Sequence, residues 1–222
     1  MKVILCTHNS GGVGKTTLAV HIAGILAEEG RVLLIDCDEQ ADAWKFYTGG
    51  EEPSPRQDSY TNEEKQIKVI YNPDRLPLKK LASPEQYDYT VLDMDTPLPN
   101  IVNVIIGSDP NLVLIPVNIS QKSKSLRNLT ATLGVIAKLE GRSNLPLEVR
   151  IVPLGVSEEE ISRFLSTIEE QPTSCEVTEA MENLQDEMQE AIYEIQDYIW
   201  NIDSESDGDE YFRSILDSVI EY

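Results

Sequence analysis

Seven consecutive residues, Gly11-Gly12-Val13-Gly14-Lys15-Thr16-Thr17, constrain this chain more than any other feature. Glycines at this spacing let successive backbone N–H groups turn toward one point, where a side chain would intrude. A lysine and hydroxyls that follow directly are what a polyphosphate and its divalent cation require. The flanks separate a phosphate cradle from a chance turn. Residues 3–8 (VILCTH) form an apolar run with β-branched members and read as a buried strand. Residues 17–29 place Leu18, Ile22, Ile25 and Leu26 at helical spacing, and Gly30 closes that helix. Residues 31–36 (RVLLID) read as a second buried strand. Strand, Gly-rich loop, helix and strand make a βαβ unit. Its helix aims a positive end at the loop.

The alternation continues. Strands are expected at 67–71, 89–93 (YTVLD), 112–117 (LVLIPV) and 147–152, and a helix at 123–139. Ser157 with Glu158, Glu159 and Glu160 opens a helix in a capping-box pattern. Residues 178–200 read as one long acidic helix. Residues 209–220 read as an amphipathic one, with Phe212, Ile215, Leu216, Val219 and Ile220 on one face. Residues 49–66 read as a polar, mobile loop, and Trp44, Phe46 and Tyr47 as one short helical turn that packs. The expected fold is α/β: a mostly parallel, doubly wound sheet of P-loop NTPase type with helices on both faces. No repeat or linker divides the 222 residues, so residues 1–222 are expected to form a single domain with an acidic helical C-terminal third.

Charge narrows the function. From Ser157 onward there are 20 acidic and two basic residues, so most of the net charge of -21 lies there. Such a surface repels phosphate backbones and anionic lipid. It reads as a solvated helical face or as a docking face for a basic partner. The basic stretch is 118–150, with Lys122, Lys124, Arg127, Lys138, Arg142 and Arg150 against Glu140 and Glu148. No apolar run approaches the ~20 residues that span a bilayer, and the last helix is too acidic to lie on a membrane. Three cysteines (Cys6, Cys37, Cys175) suit a reducing compartment. His8 and His21 lack partners at metal-ligand spacing and read as structural.

The Gly-rich loop, Asp36-Cys37-Asp38-Glu39-Gln40 after the second strand, Tyr87-Asp88-Tyr89-Thr90-Val91-Leu92-Asp93, and Leu114-Ile115-Pro116-Val117 together resemble the ParA/MinD family of deviant Walker A ATPases. The likeness covers roughly residues 1–155. Beyond them only 203–208 (DSESDG) looks like the family's C-terminal segment near the nucleotide. The resemblance implies an ATPase that uses ATP and Mg²⁺, forms a homodimer around two ATP molecules, and positions cargo such as plasmids, chromosomes or bacterial organelles. It implies slow, partner-stimulated hydrolysis, a small ParB- or McdB-like adaptor that is basic in part, and a place in the bacterial cytosol or on the nucleoid surface. Nonspecific DNA is left open as a partner, and no membrane is expected. Carried over residue by residue, Asp38 and Lys15 are catalytic. Ser10, Gly11, Gly12, Val13, Gly14, Lys15, Thr16, Thr17 and Pro153 belong to the ATP site. Thr16, Asp36, Asp38 and Asp93 surround the metal; Asp95, equally close in sequence, is left open as a contributor.

One departure sets a branch. The family's first "signature" lysine, which crosses to the partner's phosphates, is Ser10 here. The sequence is therefore similar to the signature-lysine-lacking, McdA-like branch, whose cargo is the carboxysome. A neutral Ser10 leaves two readings. In one, another cation crosses, Lys122 or Lys124 being the candidates. In the other, the chain is an ATP-binding assembly module with little or no hydrolysis.

Overall fold

The computed structural model describes residues 1–55, 58–94, 97–143, 147–180, 185–202 and 208–220. In chain order its elements are β1 (Lys2–Cys6), α1 (Lys15–Glu29), β2 (Val32–Asp36), α2 (Asp42–Thr48), β3 (Ser59–Asn62), β4 (Ile67–Tyr71), α3 (Leu78–Leu81), β5 (Tyr89–Asp93), α4 (Leu98–Ser108), β6 (Leu112–Asn118), α5 (Lys122–Ser143), β7 (Glu148–Leu154), α6 (Glu158–Leu165), β8 (Ser174–Val177), α7 (Gln185–Glu190), α8 (Ile199–Ile202) and α9 (Gly208–Ile215). A π-helical turn, Ala191–Ile195, continues α7.

All eight strands join one sheet in the order β3-β4-β2-β5-β1-β6-β7-β8, parallel except for β3 against β4. The chain runs one way from β1 toward β2 and the other way toward β6, β7 and β8. β1 is thus the topological switch point, whose carboxyl end is where such sheets bind ligands. Alternation along each strand feeds two cores. Ile4 and Cys6 of β1 face one with α1, α2 and α9, while Val3 and Leu5 face the other with α4, α5 and α6. That explains the continuous apolar runs: both faces are covered.

α1 is buried on more than one face. Besides the expected Leu18, Ile22, Ile25 and Leu26, it buries Ala19, Val20, His21 and Ala23. The C-terminal segment covers its outer side. At Gly24 a Cβ would lie 2.6 Å from the Tyr198 ring, so only glycine admits this approach. His21 is the staple. Its Nδ1 lies 2.7 Å from the Thr17 carbonyl, its Nε2 accepts from the Ile199 N–H at 3.3 Å, and its ring stacks on Phe212. Burial pushes the imidazole pKa down to about 4, against the Thr17 carbonyl, which favours the cation. A folded-state pKa below the unfolded value gives stability that is present above about pH 6.5 and lost as pH falls toward the folded pKa. His21→Gln has no such titration. The stability gap between wild type and His21→Gln should therefore shrink by about 2 kcal/mol between pH 7 and pH 5 in denaturant melts. A constant gap would contradict the assignment.

Three expectations are corrected. The single helix over 178–200 does not form. β8 precedes it, α7 passes into the π-helical turn, Gln196 adopts left-handed backbone (φ 60) and α8 follows. Local propensity yields to packing: the turn at Gln196 brings Tyr198 and Trp200 onto Gly24. The amphipathic helix over 209–220 is helical only to Ile215 and continues as turns, with all five expected apolar residues buried. Within 49–66, residues Ser59–Asn62 are an edge strand paired to β4. The structure also adds α4, to which the sequence assigned no element. Asp95 and residues 203–207 lie outside the described residues. No helix among the described residues is long and apolar enough to cross a membrane.

Candidate functional site

The Gly-rich loop leaves β1 at the switch point. Gly12 (φ 73) and Gly14 (φ 96) both take left-handed backbone. At Gly14 a Cβ would also fall 2.6 Å from Leu154 at the end of β7, so the loop is pressed against that strand. Gly14 is the N-cap of α1 and supplies no side-chain cap. The first-turn N–H groups of α1 therefore face the loop without a side-chain acceptor, which is the arrangement that takes an anion.

Lys15 is buried, and its Nζ donates to the Ser10 carbonyl at 2.8 Å. Ser10 turns inward. Its Oγ accepts from Asn128 Nδ2 at 2.7 Å, and the same nitrogen lies 3.1 Å from the Asn9 carbonyl. Asn9 N–H in turn donates to Thr132 Oγ1 at 3.3 Å. α5 thus holds the entrance of the loop through Asn128 and Thr132. Sequence reasoning missed both residues. Their signal is two polar side chains four apart on the face that carries Leu129, Leu133 and Ile136 into the core.

The acidic groups come from neighbouring strand ends. Asp36 and Asp93 are register partners on β2 and β5. Asp36 is fully engaged: one oxygen accepts from Asp38 N–H at 3.0 Å and the other from Trp44 N–H at 2.9 Å. Burial and then Asp93 push its pKa well up, against the pull of those two N–H groups. Asp93 is buried with neither oxygen in a well-directed hydrogen bond. Burial lifts its pKa to about 7; the nearby Thr16 hydroxyl and Lys15 pull it down, and Asp38 and Asp42 push it up. Asp38 is half-exposed, with one oxygen accepting from Gln40 N–H at 2.8 Å. A buried carboxylate beside a hydroxyl is the donor set a divalent cation takes, and the Lys15 ammonium suits the anion that such a cation accompanies. Among the described residues no three His, Cys, Asp or Glu side chains form a complete metal cluster.

Val13 is buried beneath the loop, Gly11 is exposed at its tip, and Thr16 and Thr17 are buried in the first turn. Pro153 lies within β7 with its carbonyl accepting from the Tyr211 hydroxyl at 3.3 Å; its neighbour Leu154 is the residue that lines the cleft. The cleft beside Gly12, Gly14 and Thr17 is closed by Met188, Gln189 and Tyr193 from α7 and the π-helical turn. Its volume is about 60 Å³. The Tyr193 phenol also reaches Asp42 by a hydrogen bond. Sequence reasoning missed this cover, because nothing local to residues 188–193 announces the loop they meet.

The basic stretch is largely neutralised by the acidic third. Lys122 pairs with Glu160 at 2.7 Å, Lys138 with Glu170 at 2.9 Å, and Arg150 with Glu148, Glu176 and Asp217. Lys124 is exposed, has no ion pair among the described residues, and lies toward the loop: with burial and Lys15 it helps depress the His8 pKa to about 4, against the Ser125 backbone, which raises it.

Comparison with known proteins agrees with this geometry. The profile described as "CobQ/CobB/MinD/ParA nucleotide binding domain" matches residues 4–201. The maintenance of carboxysome distribution protein A of Synechococcus elongatus is 30% identical over 170 residues, covering 63% of this chain and 66% of that protein. That of Gloeothece citriformis is 27% identical over 172 residues, covering 63% and 65%. Both matches fall just short of two thirds of the relatives' own length. Among solved structures, an ATP complex of a variant of Cyanothece McdA is 19% identical with a TM-score of 0.74, covering 100% of this chain and 98% of that one. MinD from Pyrococcus horikoshii OT3 with Mg-ADP is 14% identical with a TM-score of 0.66, covering 99% and 96%. At these identities the structures bear on the fold, and the profile, matching nearly the whole chain, decides the family. A Gly-rich loop at the switch point of a parallel sheet accords with that match, and the chain belongs to the CobQ/CobB/MinD/ParA nucleotide-binding family.

Proposed function

We propose that this protein is a Mg²⁺-dependent ATPase whose ATP-bound homodimer acts as a positioning switch, with the carboxysome as its nearest cargo class. The observation that carries the reading is the loop itself: α1 begins without a side-chain cap, directly after two left-handed glycines and beside buried Lys15 and Asp93. The names of the curated relatives supply the cargo class. On this reading the N–H groups of the loop hold the phosphates and Lys15 exchanges the Ser10 carbonyl for them. Thr16 and Asp93 hold the metal side, and bound Mg²⁺ would supply charge neutralisation across the transferring phosphoryl group. Asp36 fixes the Asp38–Trp44 loop through its two N–H contacts, so that Asp38 is presented to the attacking water. A small adaptor, basic in part, would stimulate a slow turnover in the bacterial cytosol or at the nucleoid; nonspecific DNA is a further candidate partner.

The missing signature lysine is assigned to Lys124. Ser10 is locked to Asn128, and Lys122 is drawn to Glu160. Lys124 keeps its charge unpaired near the loop, where desolvated phosphate needs a cation. One assay tests both parts. On a sizing column with light scattering and ATP, Asp38→Ala should run as a stable dimer while releasing no phosphate. Lys124→Met should weaken that dimer about tenfold or more, and Lys122→Met should not. A monomeric Asp38→Ala with ATP bound would remove the dimer reading. An unchanged Lys124→Met would remove the lysine assignment alone. The second reading, an assembly module with little hydrolysis, draws on the neutral, inward-turned Ser10. It is separated by phosphate release from the wild type.

A further inference from the structure

On the sheet face opposite α1, a cavity of about 110 Å³ opens between α3 and α4. Ile35 and Leu92 form its floor, and Leu78, Leu81 and Val104 are among its walls. Gly107 of α4 also lines it, and a Cβ there would meet nothing within 4 Å. Apolar cavities of about 150 Å³ admit a benzene-sized group. This one is sized for a single branched aliphatic side chain.

Its rim is cationic in a chain of net charge -21. Arg75 lines the cavity from a left-handed backbone (φ 53), an uncommon state for a residue with a Cβ. Asn72 holds it so: its carbonyl accepts from Arg75 N–H at 3.0 Å, and its side chain clasps both the N–H and the carbonyl of Leu76. Among the described residues the Arg75 guanidinium donates to the Pro73 carbonyl at 3.0 Å, and its buried Nε has no hydrogen-bond partner. Lys79 and Lys80 occupy the two positions of α3 between Leu78 and Leu81, are exposed, and make no ion pair among the described residues. Elsewhere Arg31, Lys45, Lys65, Lys122, Lys138, Arg150, Arg163 and Arg213 are ion-paired, whereas Lys2, Lys15, Lys68, Lys124 and Arg127 have no ion pair among the described residues. Residues 74–81 thus carry three cations against Asp74, and none of the three has an ion pair among the described residues.

We propose that this pocket docks an acidic linear segment of a partner protein. One leucine- or isoleucine-sized side chain enters between α3 and α4, and flanking carboxylates pair with Arg75, Lys79 and Lys80. The guanidinium fork matches a carboxylate, and an apolar anchor inside a charged rim is how short segments gain affinity. A phosphate backbone would use the lysines and leave the apolar cavity unfilled. The floor adjoins the strand ends that carry Asp36 and Asp93, and Cys37 also lines the pocket; peptide binding measured without nucleotide keeps its failure distinguishable from that of the ATPase reading.

The test is amide chemical-shift titration of the full isotope-labelled chain with the peptide acetyl-Asp-Glu-Leu-Asp-Glu-amide. Saturable shifts are expected at Leu76, Leu81 and Val104. Exchanging the peptide's leucine for alanine should weaken binding about tenfold, as should Gly107→Leu, which fills the cavity and favours the helix. The Lys79→Glu, Lys80→Glu double variant, on an exposed face, should abolish binding and guards against a folding effect of Gly107→Leu. Absence of shifts at millimolar peptide would overturn the proposal. So would equal binding of the alanine peptide, or shifts at these amides produced by random duplex DNA and not by the peptide.

Discussion

Lys15→Ala is expected to lower ATP affinity by about 100- to 1,000-fold while leaving the fold intact. A triphosphate held by loop N–H groups is partly desolvated, and removing its buried cationic partner costs about 3–4 kcal/mol. Lys15 is the buried ammonium of that loop, and its present contact is only the Ser10 carbonyl. Alanine is the best helix former, so the first turn of α1 survives the change. Asp93 then loses a positive neighbour, and its pKa should rise further above about 7. Calorimetry with ATP reads the effect, and wild-type affinity in the variant would remove the phosphate-loop assignment.

Arg150→Met is expected to cost about 2–4 kcal/mol of stability and to loosen α9. The guanidinium is nearly buried within β7 and lies within 2.6–2.9 Å of Glu148, Glu176 and Asp217. It also donates to the Ile215 carbonyl at 2.7 Å, so a strand side chain caps the C-terminus of α9. Methionine fills similar space but leaves three carboxylates without their cation and the last helical carbonyls without a donor. Two of those carboxylates are well exposed, which keeps the figure below that of a fully buried network. An unchanged denaturation midpoint would contradict this. Arg150 therefore serves to attach the acidic C-terminal third and is not free to reach a partner's phosphates.

The βαβ unit, the strand ends carrying Asp36 and Asp93, and the loop over 10–17 were legible because each is a local pattern. A buried parallel strand is a continuous apolar run, and a phosphate loop needs its residues in sequence. What the sequence hid was decided at a distance. Residues 178–200 have helical composition, yet the chain breaks at Gln196 so that Tyr198 and Trp200 cover Gly24, nearly 180 residues away. α1 reads as amphipathic because its second apolar neighbour arrives only with α8 and α9. The same holds at the site. Asn128 and Thr132 secure the loop from α5, and Tyr193 covers it from the π-helical turn. The basic stretch looked like a patch because its acidic partners Glu160, Glu170, Glu176 and Asp217 all come later in the chain.

The most direct test of the account is phosphate release from saturating ATP by the wild-type chain, with Mg²⁺ and with Mg²⁺ removed by chelation. The proposed roles of Lys15, Thr16, Asp38 and Asp93 predict steady release that stops without the metal and is absent in Asp38→Ala. Release that proceeds equally without Mg²⁺, or ATP bound tightly by the wild type with no release at all, would contradict it.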